Sequence, residues 1–137
     1  MLRQFLVGGL ASVCNIAIHA LVMMTVIQVA RGIAQHYERT RPSILVVMMA
    51  ATVSVLMAAH IAEVFVWALT YLLVAAVPSG TGLVYFAYVN YTTLGYGDVV
   101  PVKEWQLLGP MTAMNGVLLF GWSTAVIFEV LRKTLDR

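Results

Sequence analysis

The run Thr92-Thr93-Leu94-Gly95-Tyr96-Gly97-Asp98 carries the most specific chemistry in this 137-residue chain. Gly95 and Gly97 stand at alternate positions, and glycine takes φ > 0 at little steric cost. Ordinary α or β backbone runs its carbonyls along the chain axis or to alternating sides. A glycine at every second position lets successive carbonyls stack at one axis, where oxygens can replace the water around a bare cation. Thr93 can add a hydroxyl oxygen at one end of the stack. Tyr96 brings a ring able to wedge outward against neighbouring aromatics. At average glycine usage a Gly-x-Gly pair alone arises about once in 200 windows, so its flanks decide what it means.

Those flanks are specific. The stretch Tyr85-Phe86-Ala87-Tyr88-Val89-Asn90-Tyr91 reads as a short aromatic-rich helix, and Asp98-Val99-Val100-Pro101 follows the glycines before another long apolar segment. Motif and context together resemble the pore module of potassium channels, in which two transmembrane helices flank a re-entrant loop ending in a T-x-G-Y-G-D filter. The resemblance covers about residues 43–137. It implies that Thr93, Leu94, Gly95, Tyr96 and Gly97 line a K+ selectivity filter. It also implies that Asp98, Tyr85 and Phe86 support that filter and that Gly116 and Gly121 are candidates for a gating hinge. Some channels of this family carry a bracing glutamate four residues before the filter threonine. Here that position is Val89, so a brace must come from elsewhere, from Asn90 or the tyrosines. One loop supplies one quarter of a filter, so the resemblance demands a homotetramer.

Composition points to a membrane protein. The chain is 61% hydrophobic and 10% charged, with mean hydropathy +0.90, whereas soluble domains average about 25% charged residues. The net charge of +2 is too small to suggest nucleic acid, and the single Cys14 excludes an intrachain disulfide. Three segments match the roughly 20 apolar residues a span needs: residues 5–30, 43–77 and 105–131. The first is too long for the core of a cleaved signal peptide and reads as a retained helix. Pro78-Ser79-Gly80-Thr81-Gly82 breaks the chain after the second. Residues 83–92 are then too short to span and suit a pore helix leading to a filter at 93–98. At 1.5 Å per residue the second span reaches about 52 Å, against about 30 Å of hydrocarbon. It must tilt, project beyond the bilayer near Trp67 and Tyr71, or lie along the opposite surface with its first turns. The expected fold is thus all-α: an extra N-terminal helix and linker (1–42), then a pore module (43–137) of outer helix, pore helix, filter and inner helix.

Basic residues set the orientation. Arg31, Arg39 and Arg41 follow the first span, and Arg132, Lys133 and Arg137 follow the third, leaving Arg3 and Lys103 on the other side. This places the N-terminus and the filter mouth outside and the C-terminus in the cytoplasm of a multi-pass cell-membrane protein.

His60 and Glu63 share one face of the second span, and intramembrane ionisable groups default to a functional reading. Asn15 and His19, four apart on the first span, lie at comparable depth and could bond to them. Three readings are open: a polar lock between helices, a gating or proton-sensing group, and a metal site lacking a second pair of ligands. On the third span Met111, Asn115, Leu118 and Trp122 follow helical spacing and are candidates for a cavity-facing stripe.

The functional expectation is passive K+ conduction without catalysis or cofactor, with K+, the lipid bilayer and copies of itself as partners. No span carries the spaced arginines of a voltage sensor, and the chain ends soon after the last span, so no soluble regulatory domain is expected. Leak-like behaviour follows, with ion occupancy, lipid, tension or protonation of His60, Glu63 and Asp98 as the remaining gating inputs. The alternatives are a weakly selective cation channel, a non-conducting subunit with a pore-like fold, and a small membrane enzyme or metal carrier built on His19, His60 and Glu63.

Overall fold

In hydrocarbon, backbone N–H and C=O groups must be satisfied within the segment, so long apolar stretches become helices. The computed structural model describes residues 1–36 and 42–135. Among these the order is α1 (Leu2–His36), α2 (Pro42–Leu73), α3 (Leu83–Tyr91), one 3-10 turn at Lys103–Trp105 and α4 (Leu108–Leu135), with no strand. Three segments are long and apolar enough to cross a membrane: Leu2–Ile33, Ser43–Leu73 and Lys103–Arg132. The nine-residue α3 is not. The chain is an all-α, multi-pass membrane protein. Arg39, Arg41 and Arg137, expected to help set the orientation, lie outside the described residues, as does the side chain of Lys133.

Two boundaries differ from expectation for local reasons. α2 stops at Leu73 rather than running to residue 77. Ala75 turns left-handed at φ 50, its N–H bonds back to the Leu72 carbonyl, and Ala76 N–H reaches the Tyr71 carbonyl at 3.0 Å. That pair of bonds is a Schellman closure, with alanine at the position where glycine is usual. The chain then returns to this cap after the loop that follows α3, where Val102 N–H donates to the Ala76 carbonyl at 2.8 Å. α4 starts at Leu108, after the 3-10 turn, with Pro110 inside its first turn, where a missing N–H costs nothing. Gln4 of α1 contributes the cap: its Oε1 accepts the Leu107 N–H at 2.8 Å.

α1 and α4 run parallel, and α2 runs antiparallel to both. The register shows in three cross-links of near-constant offset: Gln4 to Leu107, Asn15 to Asn115 and His19 to Ser123. α1 packs along both α2 and α4, so the first helix is an integral part of the packed chain. The interior is layered along the helices. At the end near α3 Ala11, Trp67, Tyr71, Phe86, Tyr91 and Leu108 form an aromatic-rich cluster. At the other end Met23, Val26, Met48, Leu56, Val126 and Val130 form an aliphatic one. Asn15, His19, Glu63, Asn115 and Ser123 form a buried polar layer between them. Trp67 and Tyr71 belong to the first of these clusters. They are fully buried, and Tyr71 Oη lies 2.5 Å from the Thr112 hydroxyl.

An L-residue in the left-handed region costs about 1–2 kcal/mol, part of which glycine recovers. Ala75→Gly is expected to stabilise the protein by about 0.5–1 kcal/mol, measured as a raised unfolding midpoint in detergent. A lowered midpoint would show that the turn after α2 is not under strain.

Candidate functional site

The loop expected to coordinate a cation follows directly from the end of α3. Thr92 N–H still bonds to the Tyr88 carbonyl, Thr93 N–H to Asn90 and Gly95 N–H to Val89. Beyond this point the helical pattern is lost and left-handed residues alternate along the run: Thr93 at φ 59, Gly95 at φ 56 and Gly97 at φ 76. The two glycines take positive φ as their spacing predicts. Thr93 does so without being glycine, a conformation uncommon for a β-branched residue and concentrated at functional sites. Its hydroxyl donates to the Thr92 carbonyl at 2.6 Å. A hydroxyl whose one proton is used in this way offers only lone pairs to an approaching ion. Leu94 and Tyr96 are exposed on the single subunit, Tyr96 at 67%, so the Tyr96 ring is not wedged within its own chain.

Of the three residues expected to support the loop, the structure brings two together. Tyr85 Oη donates to Asp98 Oδ2 at 2.9 Å, a brace from α3 to the far end of the run. Through this bond first, and through desolvation and the Asp98 charge after it, the Tyr85 phenol is held above its usual pKa. Phe86 turns the other way and packs against Tyr71 of α2, with ring centroids 4.9 Å apart. It positions α3 against α2, in the cluster on which Val99 of the loop packs. The bracing candidate Asn90 is occupied locally, donating to the Phe86 carbonyl at 2.8 Å.

Behind α3 lies a second site that binds four helices together. The Glu63 side chain is fully buried, and His19 Nδ1 lies 2.7 Å from its Oε1 and His60 Nδ1 2.9 Å from its Oε2. Tyr91, the last residue of α3, donates its hydroxyl to the same Oε2. His60 Nε2 and His19 Nε2 both reach Ser123 Oγ of α4, at 2.9 and 3.3 Å. Asn15 Nδ2 spans the remaining gap, donating to the Glu63 carbonyl at 3.2 Å and to Asn115 Oδ1 at 3.0 Å. Spacing alone joins His60 to Glu63 and suggests Asn15 and His19. Tyr91 and Ser123, a phenol and a hydroxyl with no periodic signal, emerge only from packing.

Asn115 corrects the expected cavity-facing stripe. It is buried within the subunit, accepting from Trp67 Nε1 at 3.0 Å as well as from Asn15. Met111 lies over Gly8 of α1, whereas Leu118 and Trp122 are exposed. The four residues straddle the edge of the buried face of α4, because α1 occupies part of the face they were expected to present to a cavity.

The two candidate hinge glycines have different surroundings. A Cβ on Gly116 would collide with the carbonyl of Tyr91, so α3 ends directly against the α4 backbone there. Gly121 has nothing within 4 Å of an added Cβ in its own chain. Gly116→Ala is expected to cost about 1–3 kcal/mol through overpacking, with loss of ion flux as α3 and its loop are displaced. Gly121→Ala is expected to be neutral or to stabilise the helix by roughly 0.5–1 kcal/mol. Equal unfolding midpoints for the two variants would contradict the close-packing role of Gly116.

Comparison with known proteins agrees with this geometry. A protein-family model described as "Ion channel" matches residues 59–133, from the polar residues of α2 through α3 and the loop to the end of α4. No curated protein and no solved structure matches the chain. The matched segment is more than half of the sequence and contains the later part of α2, the short helix, the loop and nearly all of α4, and the chain belongs to the ion channel family.

Proposed function

We propose that this ion channel is potassium-selective and that its filter is the run from Thr93 to Gly97. The observation that carries the reading is the alternation of left-handed residues at Thr93, Gly95 and Gly97, the backbone pattern that stacked carbonyls require. Carbonyls of Thr93, Leu94, Gly95 and Tyr96, with the Thr93 hydroxyl, form successive dehydrated sites. The C-terminal end of α3 adds the negative end of its helix dipole beneath them. Asp98, held by Tyr85, stands at the outer mouth. Residues 43–137 form the pore module, and residues 1–42 add a helix to it.

Four chains surround one axis in this reading, with α4 innermost. Its support is the exposure of Leu94, Tyr96, Met114, Val117 and Leu118 on the single subunit, apolar surface that a symmetric assembly would cover. The N-terminus and filter mouth face outside and the C-terminus the cytoplasm, in keeping with the basic residues. The parallel course of α1 and α4 supports placing the first two on one side. The spans carry no arginine ladder, which supports a leak-like conductance with little voltage dependence.

Reconstituted in liposomes, the protein is expected to pass K+ well ahead of Na+, with block by Ba2+. Gly95→Ala, which forces a side chain into a left-handed position, is expected to abolish selectivity or conduction. Equal K+ and Na+ flux through the native protein would reduce the reading to a weakly selective cation channel, and no flux at all to a non-conducting subunit. Mass measurement in nanodiscs is expected to give a tetramer; a stable dimer or trimer would overturn the assembly.

A further inference from the structure

The cluster behind α3 has a donor set that ion conduction does not require. One ligating atom from each of His19, His60 and Glu63 can be chosen so that all three lie within 4.8 Å of one another. The two histidines are arranged alike. Each presents Nδ1 to a different oxygen of the Glu63 carboxylate, at 2.7 and 2.9 Å. Each places Nε2 on the same Ser123 Oγ, at 2.9 and 3.3 Å. Metal-bound histidines commonly have this disposition, with one nitrogen on the ion and the other N–H donated to an outer partner that fixes the ring.

We propose that His19, His60 and Glu63 form a binding site for a borderline divalent transition-metal ion, separate from the ion path through the Thr93–Gly97 loop. Two imidazoles and one carboxylate are the ligands of a three-coordinate protein site for Zn2+ or its congeners, which leaves a fourth position open. K+ and Mg2+ prefer oxygen ligands alone, so nitrogen donors select against them. The ion takes the place of the protons between the imidazoles and the carboxylate. Each ring then keeps its remaining proton on Nε2, and the two lone pairs of Ser123 Oγ accept both. Metal bonds of about 2.0–2.2 Å at tetrahedral angles ask the imidazole nitrogens and the carboxylate oxygens they now touch, at 2.7 and 2.9 Å, to separate by roughly half an ångström. The Tyr91 hydroxyl, 2.9 Å from His60 Nδ1, adjoins the open position. Entry is from the His60 side, since His60 is 12% exposed and its two partners are fully covered. A bound ion would clamp α1 to α2 and hold the rings that reach α4.

The test uses the full-length protein in detergent, equilibrated with Zn2+ and exchanged into metal-free buffer. One Zn2+ per chain is expected, with an unfolding midpoint that rises as Zn2+ increases. Glu63→Gln keeps the shape but removes the anionic ligand. It is expected to lose the stoichiometric ion and the midpoint shift. Ser123→Ala, which touches only the outer nitrogens, is expected to weaken Zn2+ about 10–100-fold. Equal Zn2+ content in native protein and Glu63→Gln would place the ion elsewhere, at Cys14 or His36, and overturn the site. Absence of bound Zn2+ in the native protein would leave a lock bridged by protons alone and overturn it equally. Should Glu63→Gln not fold, Co2+ bound to the native protein decides. Intense visible bands of a low-coordinate nitrogen–oxygen site support the proposal, and the pale spectrum of an octahedral ion refutes it.

Discussion

A carboxylate with no access to water governs the arrangement of these helices. An isolated charge at this depth is costly, and a buried ion pair deprived of one partner typically loses about 3–5 kcal/mol. Glu63 is satisfied only by groups that no single helix can supply: His19 from α1, His60 from its own helix and Tyr91 from α3. Ser123 of α4 joins by accepting or donating at both rings. The helices on either side of this layer are apolar and could slide against one another at little cost in hydrophobic contact. The polar layer removes that freedom, because its bonds are met at one register only.

The loop inherits its position from the same layer. Tyr91 is the last residue of α3, and its hydroxyl bonds to Glu63 while its carbonyl lies against Gly116 of α4. One residue therefore has its side chain held by α2 and its backbone held by α4. The left-handed run begins two residues later, at Thr93. At its far end the run is tied again, by Asp98 to Tyr85 and by Val102 to the cap of α2. Strained backbone persists only where its surroundings over-determine it, and these ties at both ends do so.

α1 is part of the same packed unit as α2, α3 and α4. α2 and α4 meet directly through Trp67–Asn115, Tyr71–Thr112 and His60–Ser123, and α1 lies along both, with Gln4, Asn15 and His19 as three polar contacts at successive depths. It caps the start of α4, fills the layer around Glu63 and covers part of the face of α4 that spacing alone would assign to a cavity. The first helix is thus tied to α2 and α4 by polar contacts along its first half and by Met23, Val26 and Ala30 beyond them.

How much of this was legible in the sequence follows from the range of each interaction. Hydropathy and length determined three spans, because a hydrocarbon solvent leaves the backbone few alternatives. The Thr93–Asp98 run determined where the loop lies, and its glycines where left-handed backbone is cheap. His60 and Glu63 could be paired from their spacing on one helix. The tertiary structure decided the rest. The end of α2 at Leu73 rests on a left-handed alanine, which no propensity anticipates. Phe86 faces α2 while its neighbour Tyr85 faces Asp98, a choice made by what packs on each side of α3. Gly116 is required by a carbonyl 25 positions earlier in the chain, and Asn115 faces inward because α1 lies there. Local sequence sets what each segment can be. Which side chains meet depends on helices brought together across a hundred residues of chain, and no local pattern encodes that juxtaposition.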